Sequence, residues 1–193
     1  FDYVKVMTTG EGGIVVTDNA ELYRQADCYH DHGHPHLPDT GRGDERRARK
    51  GFNYRMNEIQ GALGIIQLKK LDYIVSRQRE NKKKIKSGIR DIGGLEFRHL
   101  LDEEGEISTF LTFLLPGREK AEQFKDRMKA HGTVPATLNY WHFTANIEIA
   151  GGTFPKSEAI LSRSVSLEIK TNMENEVIEK TVDSIRKSAK EVL

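Results

Sequence analysis

The fold class predicted for this chain of 193 residues is α/β, and three features carry the expectation. Strand-like and helix-like periods alternate along it instead of segregating. Glycine and proline pairs fall at the joints between the periods. With 37% hydrophobic residues, the chain can bury one or two modest cores.

The first element is a β-branched run, Gly13 to Thr17, which reads as a buried strand. Ahead of it, Lys5 and the turn Thr8-Thr9-Gly10-Glu11-Gly12-Gly13 read as a loop that places one amine at the strand's edge. An amine held there serves as a Schiff-base nucleophile when its surroundings deprotonate it. A solvated lysine beside glycines is the plainer alternative. Asp18-Asn19 ends the strand, and a short helix is expected over Ala20 to Tyr29.

A long loop follows, with His30, His32, His34 and His36 alternating and then Arg42, Arg46, Arg47, Arg49 and Lys50. Imidazoles are common metal ligands. Histidines two apart in an extended loop, however, point to opposite sides, and no Cys-x-x-Cys or helical His pair accompanies them. Solvated or substrate-facing histidines are therefore preferred, and no metal is assigned.

From Arg55, the residues Met56, Ile59, Leu63, Ile66, Leu71 and Ile74 repeat at mostly three- and four-residue steps. If the pattern runs on to Ile89, the helix is ~35 residues and ~50 Å long, too long for one compact layer, so it kinks or bridges two domains. The basic run from Arg77 to Lys86 reads as a solvated helix face.

Beyond Gly93-Gly94 the units shorten. Strands are expected at Leu95 to Phe97, Thr109 to Leu115, Val134 to Tyr140 and Val165 to Ile169. Helices are expected at Arg118 to His131, with Ala121, Phe124 and Met128 inward, and at Phe154 to Arg163. A final helix carries Ile178, Val182, Ile185, Ala189 and Val192 after a capping box of Thr171 with Glu174. The mixture predicts a small α/β sandwich.

Composition excludes several classes. Thirty basic and 29 acidic side chains leave a formal charge of +1, which argues against a nucleic-acid footprint over the whole surface. No apolar stretch approaches membrane-spanning length. The single cysteine, Cys28, excludes an intramolecular disulfide and points to a reducing, cytoplasmic compartment.

The segment Phe1-x-x-x-Lys5-x-x-Thr8-Thr9-Gly10-Glu11-Gly12-Gly13-x-x-x-Thr17 closely resembles the part of the DegT/DnrJ/EryC1/StrS sugar aminotransferases whose lysine holds pyridoxal phosphate. A second motif in the right order, Gly51-Phe52-Asn53-Tyr54-Arg55, resembles the family's Gly-x-Asn-x-Arg. Looser likeness runs through Phe154-Pro155 and Ser166-Leu167 to the last helix, so it covers the whole chain but only about the second half of the family's length.

The resemblance implies a fold-type-I pyridoxal-phosphate transferase, with residues 1–72 the end of its large domain and 73–193 its small C-terminal domain. It implies a homodimer in which Lys5 carries the cofactor and Asn53 reaches the cofactor phosphate of the neighbouring subunit, an amide donor suiting a phosphate. Arg55 is expected to fix the loop or helix start. Glutamate or glutamine would donate the amino group to a keto or aldehydo sugar in cell-surface polysaccharide (including lipopolysaccharide) or secondary-metabolite synthesis. Relatives with histidine in place of the lysine are sugar dehydratases, so Lys5 favours transamination.

His32-Gly33 matches a pair carried by the family, while the extra histidines and basic residues depart from it. His32, His34, Arg46, Arg47 and His142 are the expected substrate contacts, and the Asp2-Tyr3-Val4 start combined with the Asp31-His32-Gly33-His34 run looks most like the branch that aminates C8 of an octulosonate. The remaining cofactor contacts lie, in the family, before the equivalent of Phe1. This polypeptide alone is therefore expected to bind the cofactor poorly. A non-catalytic, sugar-sensing member of the fold and a His-rich metal module are the alternatives from other classes.

Overall fold

The computed structural model describes residues 1–39, 41, 49–136, 149 and 151–193, and the chain divides into two compact units, Phe1–Leu71 and Asp72–Leu193. The first unit holds helix α1, Ala20–His30, and the start of α2, Glu58–Ile89. Asn19 caps α1: its Oδ1 accepts from the backbone N–H of Glu21 at 2.9 Å and of Leu22 at 3.1 Å, two groups with no partner inside the helix.

No strand forms at Gly13 to Thr17. A strand exists by pairing, and the described part of the first unit offers this run no neighbour. Ile14, Val15 and Val16 are consequently 75%, 77% and 83% exposed. The same holds for the periodic face of α2, where Ile59, Leu63 and Ile66 stay exposed. Sequence period identifies the face that favours burial, not what covers it.

In the second unit, strands β1 (Glu96–Phe97), β2 (Phe110–Leu114) and β3 (Ser164–Glu168) form an antiparallel sheet in the order β1-β2-β3. Phe113 of β2 stands opposite Val165 of β3. Helices α3 (Arg118–Ala130), α4 (Pro155–Ser162) and α5 (Asn175–Val192) complete the unit. Of the strand expected from Val134 to Tyr140, residues 137–140 lie outside the described residues, while Ala136 bridges to Ser166 on the open edge of β3. That bridge accords with the burial of both faces of β3.

The core joins Ile85 and Ile89 of α2, Leu111 and Phe113 of β2, Phe124 and Met128 of α3, Val165 and Leu167 of β3, and Ile178, Ile185 and Ala189 of α5. Phe113 sits edge-on to Phe124, with ring centres 5.8 Å apart. The expected capping box is absent: α5 begins after Glu174, whose backbone oxygen accepts from Val177 and Ile178, and no side chain caps it.

The basic run of α2 is only partly a solvated face. Lys82 is buried and paired with Glu106, which also accepts from Arg98 at 3.1 Å and from Ser108 at 3.1 Å. Burial alone pushes the Glu106 carboxyl up, and this is the largest single influence. The bond to Lys82, its charge, Ser108 and Arg98 together outweigh it and hold the group below the usual carboxylate range. Two further polar residues of α2 turn inward, Gln78 donating to Ile169 O at 3.0 Å and Asn81 to Lys170 O at 2.9 Å. Among the described residues, no helix is long and apolar enough to cross a membrane.

Candidate active site

All the described residues named by the two sequence motifs lie in the first unit. The Lys5 loop is fastened by its threonines: Thr9 N–H donates to Phe1 O at 3.0 Å, Thr8 Oγ1 to the same oxygen at 3.2 Å, and Thr9 Oγ1 to Glu11 O at 2.6 Å. Gln60 of α2 donates to Glu11 O at 3.1 Å, tying the loop to the helix. Lys5 itself is exposed, and its amine has no hydrogen bond or ion pair among the described residues.

The second motif forms one edge of a backbone crossing. Phe52 N–H donates to Tyr29 O at 2.8 Å, Tyr54 N–H to His30 O at 2.8 Å, and Phe52 O accepts from His32 N–H at 3.0 Å. Two glycines make this approach possible. Gly33 has φ +88°, and a Cβ there would lie 1.7 Å from Arg49 O; a Cβ on Gly51 would lie 2.3 Å from Gly33 N. The His32-Gly33 pair and the glycine of Gly51-x-Asn53-x-Arg55 are thus two sides of one close contact.

That contact sets Asn53 and Arg55. Arg55 Nε donates to Asn53 Oδ1 at 3.0 Å, and Arg55 Nη1 stands 3.3 Å from Asp31 Oδ1. With its oxygen taken, the Asn53 amide is left with Nδ2 as a donor that has no protein acceptor among the described residues. Asn53, Arg55, Asp27, His30, Tyr54 and Gly12-Gly13 line an open cavity of about 850 Å³. Lys5 does not line it.

The histidine loop is not extended. His32 and His36 take left-handed conformations, φ 57° and 46°, which bring the His30 and His36 rings to 6.0 Å and the His32 and His34 rings to 6.3 Å. The expectation that histidines two apart point to opposite sides therefore fails for His32 and His34. His36 bridges two carboxylates, Nδ1 to Asp27 Oδ2 at 2.8 Å and Nε2 to Asp31 Oδ2 at 2.9 Å. The bond to Asp27, followed by that to Asp31, raises its pKa above the ordinary 6.5. His32 Nδ1 faces Asp31 Oδ1 at 3.3 Å.

Neither His32 nor His34 lines the cavity. Arg46, Arg47 and His142 lie outside the described residues. Among the described residues, no group of three His, Cys, Asp or Glu side chains could hold a metal ion. Sequence reading missed Asp27 and Asp31 as partners of the loop; their four-residue spacing at the end of α1, which stacks two carboxylates on one face, was the available signal.

The chain resembles known proteins in sequence and in fold. Over 80 residues, which make up 42% of this chain and 20% of the relative, the sequence is 39% identical to the UDP-4-amino-4,6-dideoxy-N-acetyl-beta-L-altrosamine transaminase of Helicobacter pylori. Over 120 residues, 56% of this chain and 30% of the relative, it is 34% identical to the GDP-4-keto-6-deoxy-D-mannose 3-dehydratase of Escherichia coli O55:H7. Among solved structures, Helicobacter pylori PseC, an aminotransferase involved in the biosynthesis of pseudoaminic acid, superposes with a TM-score of 0.78 at 21% identity. That match covers 99% of this chain and 52% of PseC, so the chain spans about half the length of the enzyme it matches. The likeness shows the expected fold, α/β of the fold-type-I kind. The family profile matches residues 1–186, and the chain belongs to the DegT/DnrJ/EryC1/StrS aminotransferase family.

Proposed function

We propose that this chain forms the second half of a pyridoxal-phosphate-dependent aminotransferase that moves an amino group from glutamate or glutamine to a keto or aldehydo sugar. Lys5 carries the cofactor, and the observation that carries the reading is that this lysine stands in the family's motif with its amine exposed and without a partner among the described residues. The residues present suit the cofactor: a primary amine to bind its carbonyl, and an amide Nδ2 on Asn53 able to donate to its phosphate.

The cavity that holds Asn53 but not Lys5 supports a site shared between two copies, in which Asn53 serves the neighbouring subunit's phosphate. The exposed apolar runs Ile14–Val16 and Ile59, Leu63, Ile66 support the same reading, since they need covering. The division at Leu71/Asp72 supports assigning residues 1–72 to the large domain and 73–193 to the small one.

When bound, pyridoxal phosphate supplies the electron sink for loss of the donor's α-proton. Lys5 Nζ, once displaced by the donor's amino group, would take that proton from the donor's α-carbon and deliver it to the cofactor carbon it had been bound to, acting as the general base and then the acid. Thr8 and Thr9 hold the loop that carries Lys5, and Arg55 holds the Asn53 amide.

For the acceptor, the UDP- and GDP-linked sugars in the relatives' names support a nucleotide-linked sugar, with the octulosonate branch the more specific option. His32, His34, Arg46, Arg47 and His142 are proposed to contact it, because charge-assisted bonds from arginine favour phosphates and carboxylates. The enzyme is proposed to be a cytoplasmic homodimer serving cell-surface polysaccharide, lipopolysaccharide included, or secondary-metabolite synthesis.

The test replaces Lys5 with Ala in the intact protein. The wild-type absorbance band that sodium borohydride abolishes is expected to vanish, and multiple-turnover transamination to fall by at least ~10³-fold. Unchanged turnover in Lys5→Ala overturns the assignment.

A further inference from the structure

We propose that His36 is a positioning residue for Asn53, acting through Asp31 and Arg55 to keep the Asn53 amide N–H turned out towards an anion. The inference rests on the reading above that this anion is the cofactor phosphate. Four side chains form the series: His36 Nε2 to Asp31 Oδ2 at 2.9 Å, Asp31 Oδ1 to Arg55 Nη1 at 3.3 Å, and Arg55 Nε to Asn53 Oδ1 at 3.0 Å. It ends at Asn53, which lines the cavity and whose Nδ2 has no protein acceptor among the described residues.

The Asp31 side chain is only 7% exposed, so its charge depends on the cations and donors around it. His36 gives it one from an uncommon backbone conformation, φ 46°, in which both ring nitrogens meet carboxylates, the second being Asp27 at 2.8 Å. Two carboxylate partners require both nitrogens to carry protons, which only the imidazolium provides. Among the described residues, the groups facing His36 are Asp27 from α1, Asp31 from the loop, and the His30 ring at 6.0 Å. Their balance is anionic and agrees with its raised pKa.

When His36 loses its proton, the positive charge beside Asp31 goes, and the carboxylate draws more strongly on its remaining donors, Arg55 and the facing His32 Nδ1 among them. Arg55 is then less available to Asn53. The backbone stays where it is, because the Asp31–Asn53 bridge and the bonds of Phe52 and Tyr54 to Tyr29 and His30 do not involve these side chains. The effect is thus on the orientation of one amide and not on the fold. Because the folded-state pKa of His36 is raised, its contribution is complete below pH 6.5 and is lost as pH rises through the higher folded value.

The experiment measures equilibrium binding of pyridoxal phosphate, and of pyridoxal lacking the phosphate, to the full-length protein. Wild type, His36→Ala, Asn53→Ala and the double variant are compared from about pH 6 to 8. The ratio of variant to wild-type Kd cancels the titration of the cofactor itself. His36→Ala is expected to weaken pyridoxal phosphate roughly fivefold at the acid end, with the deficit closing as pH rises. It is expected to leave pyridoxal unchanged and to add nothing in the Asn53→Ala background. His36→Gln, which keeps one donor, is expected to fall between, and serves if the alanine variant does not fold.

A pH-independent deficit, equal losses of pyridoxal and pyridoxal phosphate, or full additivity with Asn53→Ala overturns the proposal while leaving the cofactor reading intact. An Asn53→Ala protein that binds pyridoxal phosphate like the wild type overturns both.

Discussion

Glu106 concentrates, at one side chain, the competition between burial and pairing. Its carboxylate is 15% exposed against a Lys82 ammonium that is 10% exposed, so neither charge is left to water. A buried pair of this kind is weak evidence for net stabilisation, but removing one partner leaves the other uncompensated. Glu106→Gln is expected to destabilise the protein by about 2 kcal/mol near neutral pH, measured by urea unfolding. The sign of the pH dependence follows from the depressed folded pKa. The stabilisation is present above the unfolded value and is lost as pH falls from 4.5 through the lower folded one. The acid limb of the wild-type stability curve should accordingly be shallower in Glu106→Gln, and an unchanged limb would show that Glu106 is not its source. None of this was readable in the basic run Arg77 to Lys86, since periodicity marks Lys82 as one more charge and only the fold brings Glu106 beneath it.

At the level of elements, α2 and α5 meet at a glycine. A Cβ on Gly88 would lie 2.8 Å from both methyl groups of Val182. Alanine is favoured over glycine inside a helix by about 1 kcal/mol, whereas overpacking a core costs about 1–3 kcal/mol. Gly88→Ala should therefore lower stability by up to ~2 kcal/mol, and Gly88→Ala combined with Val182→Ala should recover part of the loss; a stabilised single variant would mean that the helices separate freely. Elements whose signals are local were legible beforehand. Asn19 ahead of α1 and the Ile178, Val182, Ile185, Ala189 spacing of α5 announce their helices without help from the rest of the chain. Elements that depend on a neighbour were not. Ile14 to Val16 has strand composition but no partner to pair with, and Thr171 was a plausible cap for a helix that begins after Glu174. The site shows the same division: the motif residues Lys5, Asn53 and Arg55 stood out by resemblance to the family's two motifs, while the link from His36 to Asp31 required the left-handed turns of the loop.

The whole molecule divides unequally in its ability to hold itself together. Residues 72–193 contain the entire core cluster, from Ile85 to Ala189. Residues 1–71 contain one buried hydrophobic residue among those described, Cys28. Hydrophobic burial is the main term opposing chain entropy, so the two units should behave differently when separated. A 72–193 polypeptide is expected to unfold cooperatively in urea, and a 1–71 polypeptide to show no cooperative transition. A sharp transition in the shorter piece would mean that its stability does not come from apolar burial.

The crossing of Gly33 and Gly51 also works as a socket. Arg49 N–H donates to Gly33 O at 3.0 Å, so the stretch between these two residues begins and ends at points joined by a backbone bond. Doubling the length of a loop held at both ends costs only about 0.6 kcal/mol. Residues 37–48 can then be lengthened, shortened or rewritten in evolution or by grafting, and the register of Asn53 need not change with them.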